Sequence, residues 1–556
     1  MSLPHRSDLP KAMSKDITLS SGALWRDFLS FTNHLRTFHS STTISRTFAS
    51  LAKTKKPFDF QHAPSFSDVT ELGDGIAWVN VGFTFTTNDE VKANNTGIVS
   101  LVWILRTWLE NYDGHGNPDR LEPHSAESAT RTDSHDSTPI YDAIIIGAGQ
   151  AGLGCAGRLK ALGCTYLLIE KTGEVGENWT SRYSSLRWHT SKEYGNLPFD
   201  KTFLPEDDYM LTTKMIGSGF KRWVDRFNIN IMTATTVQNA VWDNSSGLWT
   251  ITASAAAQDR TFKAKNLILA CGSYASMPAS PTWPGRERYK GTALHGSEYT
   301  SSTPWRGKRG IVVGTANTGH DVAEDMVQAG FSSVTMVQRG KTFVYPAEWL
   351  HAAQDLHYND KTLPDRGDRL AITYPNKITR EIVNYFVHKG IASSPERFDA
   401  LERAGFKLDR YGDIYDNLYN RFGGHYVDIG TSARIARGEI KMKPEAVKGW
   451  TEKGLQFEDG SEVEAELIVL CTGFEHDFRK VARKIIGDAA DQMDDYFRLD
   501  KEGEIRGAFK FAGHPGLYYT GGDIRQCRWY SRFIALQVQA DVLGIDRKRL
   551  MADFDP

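Results

Sequence analysis

The feature that most constrains the fold of this sequence is a glycine-rich loop between an apolar strand pattern and a helix pattern. The apolar run 142–146 leads directly into Gly147-Ala-Gly-Gln-Ala-Gly152. A helix pattern follows, with apolar residues at 153, 156, 159 and 162, and then a second short strand that ends in Glu170. The first glycine permits a tight turn, the second lets a pyrophosphate approach the backbone, and the third lets the helix pack against the strand. The order strand, loop, helix, strand and acid predicts a dinucleotide-binding unit.

The acid after the second strand indicates which dinucleotide binds there. Glu170 lies 23 residues after Gly147, about where a carboxylate meets ribose hydroxyls. An acid at this position favours an unphosphorylated ribose, which both FAD and NAD have. The free N–H groups at the helix N-terminus favour the phosphates. The residues expected to bind this cofactor are Gly147, Gly149, Gln150, Ala151, Gly152, Glu170, Lys171, Asn178 and Trp179.

A second glycine loop differs from the first at two positions. The apolar strand 311–313 leads into Gly314-Thr-Ala-Asn-Thr-Gly319, so Ala316 replaces the middle glycine. After the next strand, 25 residues beyond Gly314, stands Arg339 instead of an acid. A guanidinium there can pair with the 2′-phosphate of NADP. The residues expected to bind this second cofactor are Gly314, Thr315, Asn317, Thr318, Gly319 and Arg339, with Asn317 and Thr318 either binding phosphate or capping the helix.

A group of potential metal ligands opens the helix after this loop. It comprises His320, Asp321, Glu324 and Asp325. Because these residues lie on successive turns of a helix start, we interpret them as a solvated acidic face and predict no metal site.

Two dinucleotide folds, one with an acid and one with a base at the ribose, imply two cofactors, FAD first and NADPH second. An internal echo supports this plan: the strands 266–272 and 466–473 each end in glycine, and each follows a β-meander pattern. A further strand, 513–523, ends in Gly-Gly-Asp and precedes a helix pattern at 531–543. Asp523 could bind a flavin ribityl hydroxyl or cap this helix.

The N-terminal part has a separate pattern. Apolar residues at 24, 25, 28, 31 and 35 predict a helix, whereas 77–86 and 98–105 read as strands. Residues 123–139 contain no large apolar side chain and read as a flexible linker. We therefore expect residues 1–122 to form a small α+β module that is tethered to the rest.

Composition excludes several classes of protein. The chain of 556 residues has 66 Lys and Arg against 68 Asp and Glu, and no apolar run of about 18 residues. Neither a nucleic-acid binder nor an integral membrane protein is therefore expected. The five cysteines form no Cys-x-x-Cys pair, which argues against a zinc ribbon or a dithiol centre and fits reduced thiols in the cytoplasm.

Several motifs along the chain resemble those of the class B flavin monooxygenases. The stretch from Tyr289 to Tyr299, which contains Gly291 and His295, resembles the signature Phe-x-Gly-x-x-x-His-x-x-x-Phe/Tyr. Cys471-Thr-Gly-Phe474 resembles the late Ala-Thr-Gly-Tyr motif, which adds Thr472 and Gly473 to the expected cofactor residues, and Asp523 of the Gly-Gly-Asp strand completes them. Trp179 with Gly176 resembles Gly-Gly-x-Trp, and residues 186–192 with 197–198 are similar to YUCCA-type enzymes. The resemblance covers about residues 139–545.

The resemblance implies an activity and a site. NADPH reduces FAD, oxygen adds at the flavin C4a atom to give a hydroperoxide, and one oxygen atom passes to a small organic substrate. His189 stands where mammalian-type members have an asparagine, so the resemblance implies that His189 and Lys192 line the catalytic site. Gly291, His295 and Tyr299 would organise the junction between the nucleotide domains. The N-terminal module resembles nuclear-transport-factor-2-like (NTF2-like) domains of some fungal monooxygenases. Three interpretations of this module are open: a lid over a pocket, a dimer contact or an incomplete remnant of such a domain.

The expected fold class is α/β, with two Rossmann-like dinucleotide-binding domains and the small N-terminal module. We expect the module at 1–122, a linker at 123–139, the FAD-binding domain at 140–280 and 441–556, and the NADPH-binding domain at 281–440. The segment 345–425, rich in Tyr, Phe and His, is expected on the substrate side.

Several functions fit this plan. Heteroatom oxidation, oxidative decarboxylation and Baeyer–Villiger oxidation in secondary metabolism remain open, as does a homodimer. The alternatives are an NADPH-dependent flavoprotein reductase, which the lack of Cys-x-x-Cys disfavours, and a non-catalytic flavin-bound interaction protein.

Overall fold

The computed structural model describes residues 22–73, 76–101, 103–123, 139–256, 258–272, 277–495 and 497–545. The linker expected at 123–139 lies outside these residues except for its two ends.

The described residues form both helices and strands. The helices are α1 (Ser41–Lys55), α2 (Gln150–Ala161), α3 (Glu177–Thr180), α4 (Thr213–Phe227), α5 (Asn317–Gln328), α6 (Ala347–Asp355), α7 (Pro364–Ala371), α8 (Asn376–Ser393), α9 (Pro395–Arg403), α10 (Ile414–Asp416), α11 (Thr431–Ala436), α12 (Phe478–Ile486) and α13 (Ile524–Val542). The strands of the N-terminal module are β1 (Leu24–Phe28), β2 (Leu35–His39), β3 (Phe58–His62), β4 (Asp68–Gly73), β5 (Ile76–Asn88), β6 (Lys92–Leu101) and β7 (Ile104–Tyr112).

The remaining strands belong to the nucleotide-binding part. They are β8 (Ile140–Ile146), β9 (Tyr166–Ile169), β10 (Ile231–Met232), β11 (Thr235–Asp243), β12 (Leu248–Ala255), β13 (Gln258–Leu269), β14 (Thr292–His295), β15 (Arg309–Val313), β16 (Ser333–Val337), β17 (Phe343–Pro346), β18 (His425–Asp428), β19 (Ile440–Lys443), β20 (Val447–Trp450), β21 (Gly454–Phe457), β22 (Glu462–Glu464), β23 (Leu467–Leu470) and β24 (Leu517–Tyr519).

The N-terminal module is one seven-stranded sheet, in the order β2-β1-β7-β6-β5-β3 with β4 paired to β5. The helix expected through residues 24–35 is wrong: β1 and β2 form an antiparallel hairpin there. Because β1 is buried on both faces, its apolar residues do not alternate, and their spacing imitates a helix. The strand at 77–86 is confirmed within β5. The strand at 98–105 is wrong, because Ser100 pairs with Ile104 and the chain reverses between β6 and β7.

The first nucleotide-binding sheet has the order β10-β9-β8-β13-β12-β11, with β24 also paired to β13. The strands β10, β9, β8, β13 and β24 pair with one another in parallel, whereas β11, β12 and β13 form the expected antiparallel meander. Helix α2 follows β8, which confirms the strand-loop-helix-strand order read from the sequence. The last helix, α13, begins at Ile524, seven residues before the expected start.

The second nucleotide-binding sheet is entirely parallel, in the order β14-β23-β15-β16-β19. The meander β20-β21-β22 forms a small separate sheet. Strand β23 lies between β14 and β15, so residues up to 470 pair with this second sheet. The return to the first sheet thus follows β23, later than the expected boundary at 441.

The N-terminal module packs directly on the nucleotide-binding part. Phe28 of β1 stacks on Phe533 of α13 at 5.3 Å between ring centroids, and Trp108 contacts Trp529 edge-on at 6.3 Å. The fully buried Arg532 lies 2.8 Å from the carboxylate of Glu110. A buried apolar and ionic interface therefore joins a module that we expected to be only tethered.

Within the described residues, no helix has the length and apolar character needed to cross a membrane.

Candidate active site

The first glycine loop has the backbone that its glycines predict. Gly147 has φ +103°, and a Cβ there would lie 2.6 Å from the Ala270 carbonyl oxygen. A Cβ on Gly152 would lie 1.9 Å from the carbonyl oxygen of Gly147, so helix α2 approaches the loop more closely than any side chain allows. Gly149 is the N-cap of α2 and provides no side-chain cap, so the first N–H groups of the helix are available to a phosphate.

Glu170 stands at the end of β9 and is nearly buried. Its Oε2 accepts from the Ala148 backbone N–H at 2.6 Å, and its Oε1 accepts from the N–H and hydroxyl of Thr172, both at 2.9 Å. The carboxylate thus holds the loop, and its remaining lone pairs can accept from ribose hydroxyls. Lys171 and Asn178 are exposed beside it, and Ala151 is buried in the first turn of α2.

Two buried polar atoms near this loop support the fit of a dinucleotide. Gln150 donates to the Gly522 carbonyl at 2.9 Å, but its Oε1 has no hydrogen-bond partner among the described residues. The indole Nε1 of Trp179 is likewise buried without a partner there, while its ring packs on Trp188 at 5.3 Å. Unpaired buried polar atoms are costly, so a ligand that pairs with them fits this place. The residues expected for FAD therefore fit that group.

The second loop repeats this backbone. Gly314 has φ +117°, and a Cβ there would lie 2.3 Å from the Cys471 carbonyl oxygen; a Cβ on Gly319 would lie 2.1 Å from Gly314 O. Ala316 is the N-cap of α5 and supplies no side-chain cap. Arg339 is exposed directly after β16, where its guanidinium is open to a 2′-phosphate. This set fits NADPH.

The other residues expected at the second loop have protein partners. Asn317 Oδ1 accepts from the Val427 backbone N–H at 2.8 Å, which ties the start of α5 to β18. The hydroxyl of Thr315 bonds that of Thr342 at 2.6 Å. Thr318 lies beside Gly296, whose built Cβ would be 3.3 Å from the Thr318 methyl. These contacts position the loop. The side-chain oxygen of Asn317 binds Val427 and therefore does not cap the helix.

The prediction of a solvated acidic face on α5 is wrong. Asp321 is buried and accepts from the Tyr183 hydroxyl at 2.7 Å. His320 is fully buried, and Asp325 accepts from the Tyr299 hydroxyl and from the Ser302 N–H. The face points into a buried seam lined by Tyr183, Tyr299 and Ser302, where these polar groups find partners. In the described part of the chain, no group of His, Cys, Asp and Glu could hold a metal ion.

His189 lies in this seam. Its Nε2 is 3.2 Å from Asp321 Oδ1, and since a carboxylate accepts, Nε2 bears the hydrogen. The backbone carbonyl of His189 accepts from His351 Nε2 at 2.9 Å. Both its ring and its backbone are therefore held in place.

Two further imidazoles flank His189. His320 stacks on Tyr426 at 3.6 Å with an interplanar angle of 2°. Burial lowers the pKa of His320 and of His425 to about 4, so both rings are neutral at pH 7.

Lys192 has a different environment. Its ammonium donates to the backbone carbonyls of Leu204, Pro205 and Asp207, at 3.2, 2.5 and 2.8 Å. All three of its hydrogens have acceptors, so Lys192 holds the loop around residue 205.

The signature histidine contacts the late Thr-Gly motif. His295 Nε2 lies 3.1 Å from the Gly473 carbonyl, which is the acceptor, and the His295 ring packs edge-on against Phe474 at 5.3 Å. The Thr472 hydroxyl donates to the Ala279 carbonyl at 2.6 Å. The signature histidine and the late Thr-Gly motif thus meet at the crossing between the sheets.

Asp523 is the N-cap of α13. Its Oδ1 accepts from the Gln526 N–H at 2.8 Å in a complete capping box, and its Oδ2 lies 3.2 Å from the Tyr194 hydroxyl, which donates. The capping alternative is therefore observed, and the carboxylate also faces a tyrosine.

The sequence did not identify Tyr183 as a residue of the seam. It also predicted that Asp321 is exposed, whereas Asp321 is buried. The separation of 138 residues between these hydrogen-bonded partners leaves no local signal. Only the burial of the α5 face distinguishes Asp321 from an exposed helical acid.

Comparison with known proteins identifies a matching family model and several similar proteins. A family model described as pyridine nucleotide-disulphide oxidoreductase matches residues 144–355. The chain is 28% identical over 390 residues to the indole-3-pyruvate monooxygenase YUCCA8 of Oryza sativa subsp. indica, which covers 68% of this chain and 85% of the relative. It is 29% identical over 345 residues to the probable indole-3-pyruvate monooxygenase YUCCA1 of Arabidopsis thaliana, covering 60% and 76%.

Solved structures share the fold. A steroid monooxygenase bound to NADP matches with a TM-score of 0.53 and 17% identity, covering 74% of this chain and 87% of that one. Cyclohexanone monooxygenase from Rhodococcus sp. Phi1 bound to NADP+ matches with a TM-score of 0.51 and 18% identity, covering 74% and 85%. At this identity the likeness concerns the fold of the nucleotide-binding part.

Proposed function

We propose that this chain, an FAD- and NADPH-dependent monooxygenase of the class B flavin type, transfers one oxygen atom from O2 to a small organic metabolite. We place this activity in secondary metabolism and in the cytoplasm. The observation that supports the proposal most strongly is the pair of uncapped glycine loops, one followed by Glu170 and the other by Arg339. The acid favours an unphosphorylated ribose and the guanidinium a phosphorylated one, which supports FAD at the first loop and NADPH at the second.

The residues of this chain bind and orient the two cofactors. Bound FAD supplies the redox chemistry, accepting a hydride from NADPH and passing electrons to O2. Glu170 holds the first loop and would accept from the ribose hydroxyls, and the unpartnered polar atoms of Gln150 and Trp179 would pair with the dinucleotide. The His189 ring carries its hydrogen on Nε2, because Asp321 accepts a hydrogen bond there. The buried seam around it excludes water.

The N-terminal module, which we propose is NTF2-like, acts as a brace for helix α13. Its buried contacts to Arg532 and Phe533 favour a docked part over a mobile lid. Since α13 begins at Asp523 beside the first glycine loop, a shift of this helix would disturb the flavin end of the site.

The proposal is tested with the purified holoenzyme under air. We expect a yellow protein that oxidises NADPH faster than NADH, and that transfers label from isotopically labelled O2 into an organic product. Since the relatives above are indole-3-pyruvate monooxygenases, indole-3-pyruvate is the first substrate to assay, and cyclohexanone tests Baeyer–Villiger oxidation. A protein without bound flavin, or one whose flavin NADPH does not reduce, would refute the proposal.

A further inference from the structure

Basic side chains lie at the carboxyl edge of the second nucleotide-binding sheet, the edge at which open parallel sheets bind their ligands. Arg339 follows β16, and Lys443 is the last residue of the neighbouring strand β19. Lys443 forms an ion pair with Asp459 at 2.5 Å, whereas Arg339 has no ion pair or hydrogen bond among the described residues. A phosphate monoester carries a charge of about −1.5 to −2 at pH 7, so one guanidinium leaves part of that charge unpaired.

The buried side chain of Gln338 fixes a second segment of the chain at this edge. Its Oε1 accepts from the Lys407 backbone N–H at 2.7 Å, and its Nε2 donates to the Lys407 carbonyl at 2.8 Å. The Thr342 N–H donates to the same carbonyl at 3.0 Å, and the Asp409 N–H donates to the Thr342 carbonyl at 2.9 Å. Because Gln338 directly precedes Arg339, these bonds hold the backbone of Lys407 at the same edge, independently of its side chain.

The Lys407 side chain is exposed there without a counter-charge. Its ammonium donates to the carbonyl of Pro444, the residue that follows β19. It has no carboxylate partner in the described part of the chain. An ammonium has three hydrogens, so two remain for a ligand. A second cation is therefore available at the edge where Arg339 lies.

Lys407 belongs to a different part of the molecule from Arg339. It lies in the helical insertion, residues 347–424 between β17 and β18, whereas Arg339 belongs to the sheet itself. The same insertion contains His351, whose Nε2 donates to the backbone carbonyl of His189 at 2.9 Å. An anion held by both cations would therefore join the sheet to the insertion that supports the His189 loop.

We propose that Lys407 is a specificity-determining residue for NADPH. Its ammonium pairs with the 2′-phosphate together with the Arg339 guanidinium, so the phosphate bridges the second sheet and the helical insertion. NADPH then holds the insertion in place, and NADH, which lacks the phosphate, does not. This inference rests on the proposed function, because it takes NADPH to bind at the second glycine loop.

Calorimetry of the oxidised holoenzyme measures the binding of NADP+ and NAD+, which differ only by the phosphate. Adenosine 2′,5′-bisphosphate and 5′-AMP repeat the comparison without the nicotinamide. Lys407→Gln should weaken binding of the two 2′-phosphorylated probes about 5- to 30-fold, because one charge-assisted contact is lost, and should leave binding of NAD+ unchanged. Lys407→Arg keeps the charge and should retain most of the affinity for NADP+.

Two matched variants separate this contact from a general effect of charge. Lys448→Gln removes an exposed lysine from the small separate sheet and should leave the affinity for NADP+ unchanged. Lys341→Gln removes the other exposed lysine near Arg339. If Lys407→Gln binds NADP+ as tightly as Lys448→Gln does, the inference is overturned. A loss in Lys341→Gln with none in Lys407→Gln assigns the second cation to Lys341 and also overturns it.

Hydrogen exchange tests the bridge in the wild-type holoenzyme, without depending on the folding of any variant. At equal saturation, NADP+ should slow amide exchange around Lys407 and in α6 more than NAD+ does, because only NADP+ ties the insertion to the sheet. In Lys407→Gln the two cofactors should protect these segments equally. Equal protection by the two cofactors in the wild type contradicts the bridge.

The outcomes distinguish this inference from the proposed function. Equal affinity of the wild type for NADP+ and NAD+ would refute the placement of NADPH at the second loop, and the inference with it. A preference for NADP+ that Arg339→Gln removes and Lys407→Gln leaves intact would overturn the inference alone. The preference lost in both variants, with FAD still bound, supports a phosphate held by two cations.

Discussion

The substitution Glu110→Gln should weaken the docking of the N-terminal module, because it removes one of the buried carboxylates that join the module to the rest of the chain. Glu110 Oε2 accepts from Arg369 at 2.7 Å and from Arg532 at 2.8 Å, and Oε1 accepts from the Trp108 indole at 2.7 Å. Glutamine keeps the shape of the side chain and removes its charge, so it isolates the electrostatic part of docking.

The magnitude follows from the pKa of this carboxyl group. Burial alone would raise it, but Arg369 and Arg532 outweigh burial and lower the pKa of Glu110 from 4.5 to about 2. That difference corresponds to about 3 kcal/mol of stabilisation at neutral pH. Leaving two buried guanidinium groups short of a counter-charge places the total loss at about 3 to 5 kcal/mol.

Urea unfolding at pH 7 measures this loss through tryptophan fluorescence, since Trp108 and Trp529 lie at the interface. The control is Glu71→Gln, the same substitution at an exposed position of the same module. Because folding depresses the pKa, the stabilisation is complete above about pH 4.5 and is lost as the pH falls towards 2. The gap between wild type and Glu110→Gln should therefore close in acid. Equal unfolding midpoints for the two variants at pH 7 would refute the reasoning.

Three further predictions concern the cofactor sites. Arg339→Ala should raise the KM for NADPH about 10- to 100-fold and leave that for NADH unchanged in steady-state assays; equal effects would remove Arg339 from the phosphate site. Gly152→Ala should purify with little flavin, because the new Cβ would lie 1.9 Å from a backbone oxygen, whereas Gly423→Ala, with no atom within 4 Å, should keep its FAD. Asp321→Asn should slow flavin reduction by NADPH in stopped-flow experiments, with little change in KM, because His189 loses the carboxylate that orients it; an unchanged rate would contradict this role.

The buried interface also affects the expected result of deleting the N-terminal module. If residues 123–139 were only a flexible linker, removal of residues 1–138 would leave FAD bound. Their removal would expose Phe533 and leave Arg532 without Glu110, at the helix that begins beside the first glycine loop. Substitution at Glu110 therefore tests docking more cleanly than truncation does.

The sequence by itself determined the cofactor loops. The positive φ of Gly147 and Gly314, and the 1.9 and 2.1 Å approaches at Gly152 and Gly319, are conditions that only glycine meets. These conditions are local, so a short motif records them completely. The positions of Glu170 and Arg339 at strand ends follow from the same units.

Only the tertiary structure decided which polar residues are buried and what they pair with. From the sequence, Asp321 is an exposed acid on a helix. In the fold it is buried and accepts hydrogen bonds from Tyr183 and His189. Arg26 binds Glu504 at 2.7 Å across a separation of 478 residues, and no periodicity records such a pair. A hydrogen bond or an ion pair depends on the partner that packing brings, whereas the strain at a glycine depends on its own backbone.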